Sequence, residues 1–242
     1  IAGYYVYFGT SSSGDPTNYQ TGLNYTAGSL VSGSTYYLRL KTRDNAGNTT
    51  ATATTLFIYK FDSADPTGGS ISIDGGASYA NSTSVTLTIA ATDDDSGLSQ
   101  MMISENSNFS GASWISYATS NNFTLSTGDA AKTVYIKFLD NAGNETTSTN
   151  DSITLDTTEP ANPASSLGYD TSGKAISLTT DNWYNYAASY FEWSAPTDAS
   201  GIAGYYVYFG TSSSGDPTNY QTELNYTAGS LVSGSTYYLR LK

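Results

Sequence analysis

The residues of this chain with chemistry to offer are carboxylates gathered at turns. Asp44 and Asp140 each open the same five-residue turn, Asp-Asn-Ala-Gly-Asn, 96 positions apart. Asp93, Asp94 and Asp95 run into Ser96-Gly97, and Asp198 stands just before Ser200-Gly201. Asp62 and Asp65 lead into Pro66 as Asp156 and Glu159 lead into Pro160. Carboxylates brought close together repel at neutral pH unless protons or a cation neutralise them. Oxygen donors from Asp, Asn and loop carbonyls, with no histidine or cysteine in the chain, suit calcium, which takes six to eight oxygens in a loose geometry. The same sequences have a second reading. Asp-Asn-Ala-Gly-Asn is a competent hairpin turn, because Asn and Gly tolerate positive φ and Asp bonds its own backbone, and Asp-x-x-Glu-Pro reads as a solvated linker. No EF-hand pattern decides between them.

Tyrosine is the second unusual feature, at 22 residues. On a strand through Tyr205–Phe209, alternation places Tyr205, Val207 and Phe209 inward and Tyr206 and Tyr208 outward. Tyr238 and Arg240 fall outward on the strand expected beside it. Such a strip offers apolar area with a hydroxyl at the rim, suited to stacking on sugar rings or to a partner surface; exposed tyrosine is also what β-propensity alone produces. Tyr5, Tyr7, Tyr37 and Arg39 repeat the arrangement, which would make weak binding multivalent. Phe191 and Trp193 are in phase with a buried strand. Trp183, in Asp-Asn-Trp-Tyr-Asn-Tyr, is expected on a loop, and Trp114 is expected to begin a strand.

Catalysis has little to work with. Without His or Cys, the usual triads and thiol nucleophiles are excluded, and the carboxylates map to turns rather than to a deep cleft. No catalytic residue is assigned. The net charge is −12, with only 9 Lys and Arg, so a nucleic-acid partner or an anionic membrane surface is not expected. No apolar run approaches the length of a membrane span. The absence of cysteine leans towards a bacterial exterior over a disulfide-stapled eukaryotic one.

The elements that must carry these residues are strands. Thr133 to Asn144 reads TVYIKFLDNAGN and Tyr36 to Asn48 reads YYLRLKTRDNAGN, each an alternating strand running into the shared turn. Ser84 to Leu98 and Tyr190 to Ile202 share a plan of strand, acidic turn, Ser-Gly and a new strand. Short alternating segments between Gly, Asn and Asp turns predict all-β sandwiches with almost no helix.

One stretch recurs nearly intact. Ile1 to Lys41 reappears as Ile202 to Lys242 with 40 of 41 positions identical, Gly22 against Glu223 being the difference, so the chain has a period of 201 residues. Tandem near-identity is the mark of chains that gain reach or avidity by duplication.

Through Trp193, GIAGYYVYF and YYLRL, the longer unit resembles a fibronectin type III domain. Through ISIDGGASYANSTSVTLTIAATDDDSGL and VYIKFLDNAGN, the shorter resembles the bacterial immunoglobulin-like repeats of large surface proteins. The resemblance implies tandem sandwiches arranged end to end: 1–61 as the later part of a fibronectin type III-like domain, 62–156 as an immunoglobulin-like domain, and 157–242 as the earlier part of the next. It also implies calcium at the junctions, with Asp62, Asp65, Asp93, Asp94, Asp95 and Asp140 around the middle domain and Asp156, Glu159 and Asp198 around the last. The expected role is a spacer or adhesive segment of a bacterial surface or secreted protein. Its partners would be neighbouring copies of the repeat and a polysaccharide or surface receptor. The opening and closing parts are each expected to expose an apolar sheet face, completed either within a longer parent or by strand addition from another copy.

Overall fold

The structure, a computed structural model, describes residues 1–242 and is all-β, with 19 strands and no helix. It has no helix long and apolar enough to cross a membrane. The chain divides into two compact units, Ile1–Leu155 and Asp156–Lys242.

The first unit opens with one antiparallel sheet made of β1 (Gly3–Gly9), β2 (Asn18–Gln20), β3 (Ser34–Arg43) and β4 (Thr54–Phe61), in the order β2-β1-β3-β4. Register gives it two unlike faces. Val6 lies opposite Leu40 and Phe8 opposite Leu38, so the apolar residues of both strands share one side, while Tyr7 and Arg39 share the other.

A sandwich follows, formed by β5 (Thr67–Ile73), β6 (Tyr79–Ala80), β7 (Ser84–Thr92), β8 (Leu98–Ser104), β9 (Ile115–Ser116), β10 (Ser120–Thr124), β11 (Ala130–Asp140) and β12 (Thr149–Leu155). Its sheets run β10-β7-β5 and β6-β12-β11-β8-β9. Strict alternation builds the core. Val85, Leu87 and Ile89 of β7 and Val134, Ile136 and Phe138 of β11 are buried, with Met101 among them, whereas Met102 on the opposite face is only partly covered. Burying apolar side chains of this size contributes about 1.5–3 kcal/mol each, which is why the phase is held along the whole of β11. Asp140 ends that strand in the same inward phase and is 2% exposed. A register shift between Leu139 and Asp140 lets the chain leave the ladder there.

The second unit contains β13 (Ser166–Tyr169), β14 (Ser177–Leu178), β15 (Tyr190–Trp193), β16 (Tyr205–Gly210), β17 (Asn219–Gln221), β18 (Asn225–Thr227) and β19 (Tyr238–Leu241). Sheet β14-β13-β15-β18 packs on sheet β17-β16-β19. Trp193 meets Tyr205 edge-on at 5.6 Å between ring centroids, and Phe191 meets Phe209 at 5.5 Å. The expected core phase of β15 and β16 is therefore the observed one.

Candidate functional site

Three of the acidic residues converge. Carboxylate oxygens of Asp62, Asp93 and Asp140 all lie within 4.8 Å of one another. Each arrives by a different route: Asp62 follows β4, Asp93 follows β7 and Asp140 closes β11. None of the four ion pairs in the chain involves any of them, so no lysine or arginine balances the cluster.

Oriented backbone amides surround it instead. Asp140 Oδ1 accepts the amides of Ala142, Gly143 and Asn144 at 2.8, 2.6 and 2.8 Å, and its Oδ2 accepts Asn144 Nδ2 at 2.7 Å. The turn can wrap one oxygen this tightly because Gly143 takes φ of 96°, a region other residues avoid. Asp93 Oδ2 accepts the Ser96 amide at 3.0 Å and the Gly97 amide. Asp62 Oδ2 accepts the same Ser96 amide at 3.1 Å, and its Oδ1 accepts Ala64 N at 2.9 Å. The Ser96 side chain, followed by the Ala64 amide, holds the Asp62 carboxyl below its ordinary value of 3.8. Donors of this kind stabilise the charged form without cancelling its charge. The set is all oxygen, close and partly open to solvent, which fits a hard divalent cation.

The remaining expected ligands divide. Asp95 points instead to the turn before β3, where the Ser32 hydroxyl lies 2.7 Å from its Oδ2 and 3.1 Å from Asp62 Oδ1. Asp65 and Asp94 are exposed and outside the group. In the second unit, Asp156 and Asp198 share the Ser200 amide at 3.0 and 2.9 Å, as Asp62 and Asp93 share that of Ser96. The Ser200 hydroxyl is the first cause holding Asp198 below its ordinary value. Glu159 is exposed. The third corner has its counterpart in the first sheet: Asp44 accepts Asn48 N at 2.7 Å and Asn48 Nδ2 at 2.9 Å, and the Asn48 side chain foremost lowers its pKa.

Sequence reading missed Ser32, Ser96, Asn141 and Asn144. Asn141 Nδ2 ties the turn to the carbonyls of Ser96 and Gly97, both at 2.9 Å. The shared Ser-Gly after each acidic turn was the available signal for Ser96; nothing local marks Ser32, which comes from the turn before β3.

The outward tyrosines do not form a flat strip. Tyr206 is exposed but tilts against Tyr220 at 5.4 Å and 61°, with Lys242 Nζ 5.7 Å above its ring. Tyr208 is half-buried under the following loop: its hydroxyl accepts the Ser212 amide at 3.0 Å, and a Cβ on Gly215 would meet its ring at 2.1 Å. Tyr208 therefore anchors a loop. Tyr238 is exposed on the same face of the β16–β19 pair as Tyr206 and Tyr208, opposite Gly210, and borders an open cleft of about 470 Å³ that is also lined by Trp183, Tyr184 and Tyr186. Trp183 is 81% exposed, on a loop as expected, and Trp114 immediately precedes β9 with Lys137 Nζ 5.1 Å from its ring.

No family model matches the chain. Exoglucanase B of Cellulomonas fimi is 29% identical to it over 251 residues, taking in 98% of this chain and 21% of that protein. The chain thus spans about a fifth of that relative's length. Among solved structures, one described as a Ca2+-stabilized adhesin that helps an Antarctic bacterium reach out and bind ice aligns with a TM-score of 0.35 and 14% identity, over 86% of this chain and 55% of that one.

Proposed function

We propose that this chain is a structural and adhesive repeat segment of a long extracellular bacterial protein, a spacer or stalk without catalytic activity. Its domains are 1–61 and 157–242, parts of fibronectin type III-like sandwiches, with an immunoglobulin-like sandwich at 62–156 between them. The observation that carries the reading is the recurrence of 40 of 41 residues at a period of 201. A unique pocket gains nothing from such copying, whereas reach and avidity grow with every copy. The test is small-angle scattering from chains of one, two and three periods. A maximum dimension that grows in proportion to the number of periods supports the spacer; a dimension that stays level overturns it.

Calcium belongs to the same proposal. Asp62, Asp93 and Asp140 are the residues that would hold it, and a bound cation would supply the positive charge that no side chain brings there. Because Asp62 lies on the segment joining the first sheet to the sandwich, binding would favour the arrangement in which all three carboxylates meet. A cation present at 100 times its Kd would stabilise that arrangement by about 2.7 kcal/mol. Calorimetric titration with calcium, and melting with calcium against chelator, should show binding that Asp93→Asn removes. Identical melting in calcium and chelator would eliminate the cation.

A second reading is favoured by the cleft beside Trp183, Tyr184 and Tyr186 together with the polysaccharide-degrading name of the relative: the last domain binds a glycan. Aromatic rings at an open cleft stack on sugar faces. Pull-down on insoluble cellulose, lost in Trp183→Ala, supports it; equal recovery of both proteins in the unbound fraction removes it.

A further inference from the structure

The segment Phe61 to Ala64 joins the first sheet to the sandwich, and it is gripped from both sides. Gly33 N donates to the Phe61 carbonyl at 2.9 Å, and Ser63 N donates to Ser32 Oγ at 2.9 Å, so the turn before β3 holds it on one side. Ser96 N donates to Asp62 Oδ2 at 3.1 Å, and Asn144 Nδ2 donates to the Asp62 carbonyl at 3.5 Å, so two turns of the sandwich hold it on the other. A solvated linker would leave such groups to water. Here they are spent on the two bodies that the segment connects.

The two sides also touch each other directly. The Ser32 hydroxyl stands 2.7 Å from Asp95 Oδ2 and 3.1 Å from Asp62 Oδ1. It has one proton to give, and the nearer oxygen, that of Asp95, takes it, while its lone pair accepts the Ser63 amide. A hydrogen bond to an ionised acceptor is the stronger kind. Gly33 makes the approach possible. Its φ is 76°, and a Cβ there would meet Asp95 Oδ1 at 2.5 Å, so only glycine after Ser32 lets this turn close on the acidic one. The contact acts against a standing repulsion. Carboxylate oxygens of Asp62, Asp93 and Asp140 lie within 4.8 Å of one another, and without a cation their charges push Asp62, and the segment that carries it, away from the sandwich.

We propose that Ser32 and Asp95 form a clasp that keeps the first sheet fixed against the sandwich when no cation is bound. Asp95 is the catch of this clasp rather than a cation ligand. Ser32 is a positioning residue: held by Asp95 on one side, it holds Ser63 on the other, and so fixes the segment on which Asp62 rides. Tension along the chain then meets a closed joint instead of a slack tether. The proposal stands apart from the calcium reading, since the clasp uses no cation and its test is made in chelator.

The test is nuclear magnetic resonance on the intact 242-residue chain in chelator. Residual dipolar couplings from β1, β3 and β4 and from β5, β7 and β11 should fit one common alignment tensor in the native chain and need two in Ser32→Ala, while Ser32→Thr, which keeps the hydroxyl, restores one. Amide exchange at Ser63 gives an independent reading. Asp95 bonds Ser32 and not Ser63, yet Asp95→Ala should speed exchange at Ser63 about fivefold, the worth of one ordinary hydrogen bond. Asp94→Ala removes the same charge from the exposed neighbouring residue and should leave that exchange at the native rate. Ser32 belongs to neither buried core, so these variants keep their fold. A native chain that needs two tensors in chelator, a Ser32→Ala chain that still fits one, or Ser63 exchange unmoved by Asp95→Ala overturns the proposal. Calcium that fails to bind would sink the cation reading and leave these results to judge the clasp.

Discussion

Asp140 offers the sharpest test of what holds the acidic cluster together, because two substitutions remove its charge and differ in what they leave. Asp140→Asn keeps an oxygen for the amides of Ala142, Gly143 and Asn144, while Asp140→Ala keeps none. Relief of repulsion from Asp62 and Asp93 is common to both variants and cancels in the comparison. The difference then reads the amide bonds alone. Three bonds to a neutral acceptor at about 1 kcal/mol each sum to about 3 kcal/mol. The asparagine Nδ2 is set against Asn144 Nδ2, where Asp140 Oδ2 now accepts at 2.7 Å, and this donor against donor contact takes back about 1 kcal/mol. Asp140→Ala should therefore be about 2 kcal/mol less stable than Asp140→Asn. Because the chain has two compact units, a single melting transition would blur the result. Amide exchange of peptides covering Val134 to Asn144 in the intact chain, with chelator present, reads the opening free energy of this region directly. A difference below about 0.5 kcal/mol, the scatter of ordinary surface changes, would refute the claim that the amide cradle organises the site.

Three further outcomes are expected. Phe138→Ala empties the centre of the middle sandwich, where Phe138 is fully buried; it should cost about 3–5 kcal/mol in opening free energy measured by exchange in β7 and β11. Asp44, Asp62 and Asp198 all have folded pKa values below the ordinary 3.8. A lowered folded pKa contributes stability that is complete above the unfolded value and lost as pH falls through the folded one. Melting temperature without metal should accordingly hold level down to about pH 4 and drop below it, with a shallower drop in Asp62→Asn; a decline beginning near neutrality would contradict this. Trp183→Ala should leave stability within about 0.5 kcal/mol of native, since the side chain faces solvent, so any lost glycan binding reports on contact and not on folding.

Much of this architecture follows from a two-residue period and from turn chemistry. The phase that buries Val134, Ile136 and Phe138 also carries Asp140 inward at the end of β11, and the phase of Tyr205, Val207 and Phe209 is readable the same way, because neighbouring side chains on a strand must face opposite sides. The repeated Asp-Asn-Ala-Gly-Asn likewise announced its turn. Which carboxylates meet was not legible. Asp62 and Asp140 are 78 positions apart, and the choice of Asp93 over Asp94 or Asp95 depends on how one turn is wound. Nor did alternation disclose that Tyr208 lies under its own loop, since period tells a side chain's face and not what folds over it. The duplicated stretch states the limit most directly. Asn-Tyr-Thr is a strand at Asn225–Thr227 and no strand at Asn24, Tyr25 and Thr26, because a strand exists only when another backbone is present to accept and donate its hydrogen bonds. That partner comes from tertiary structure, and no local sequence can supply it.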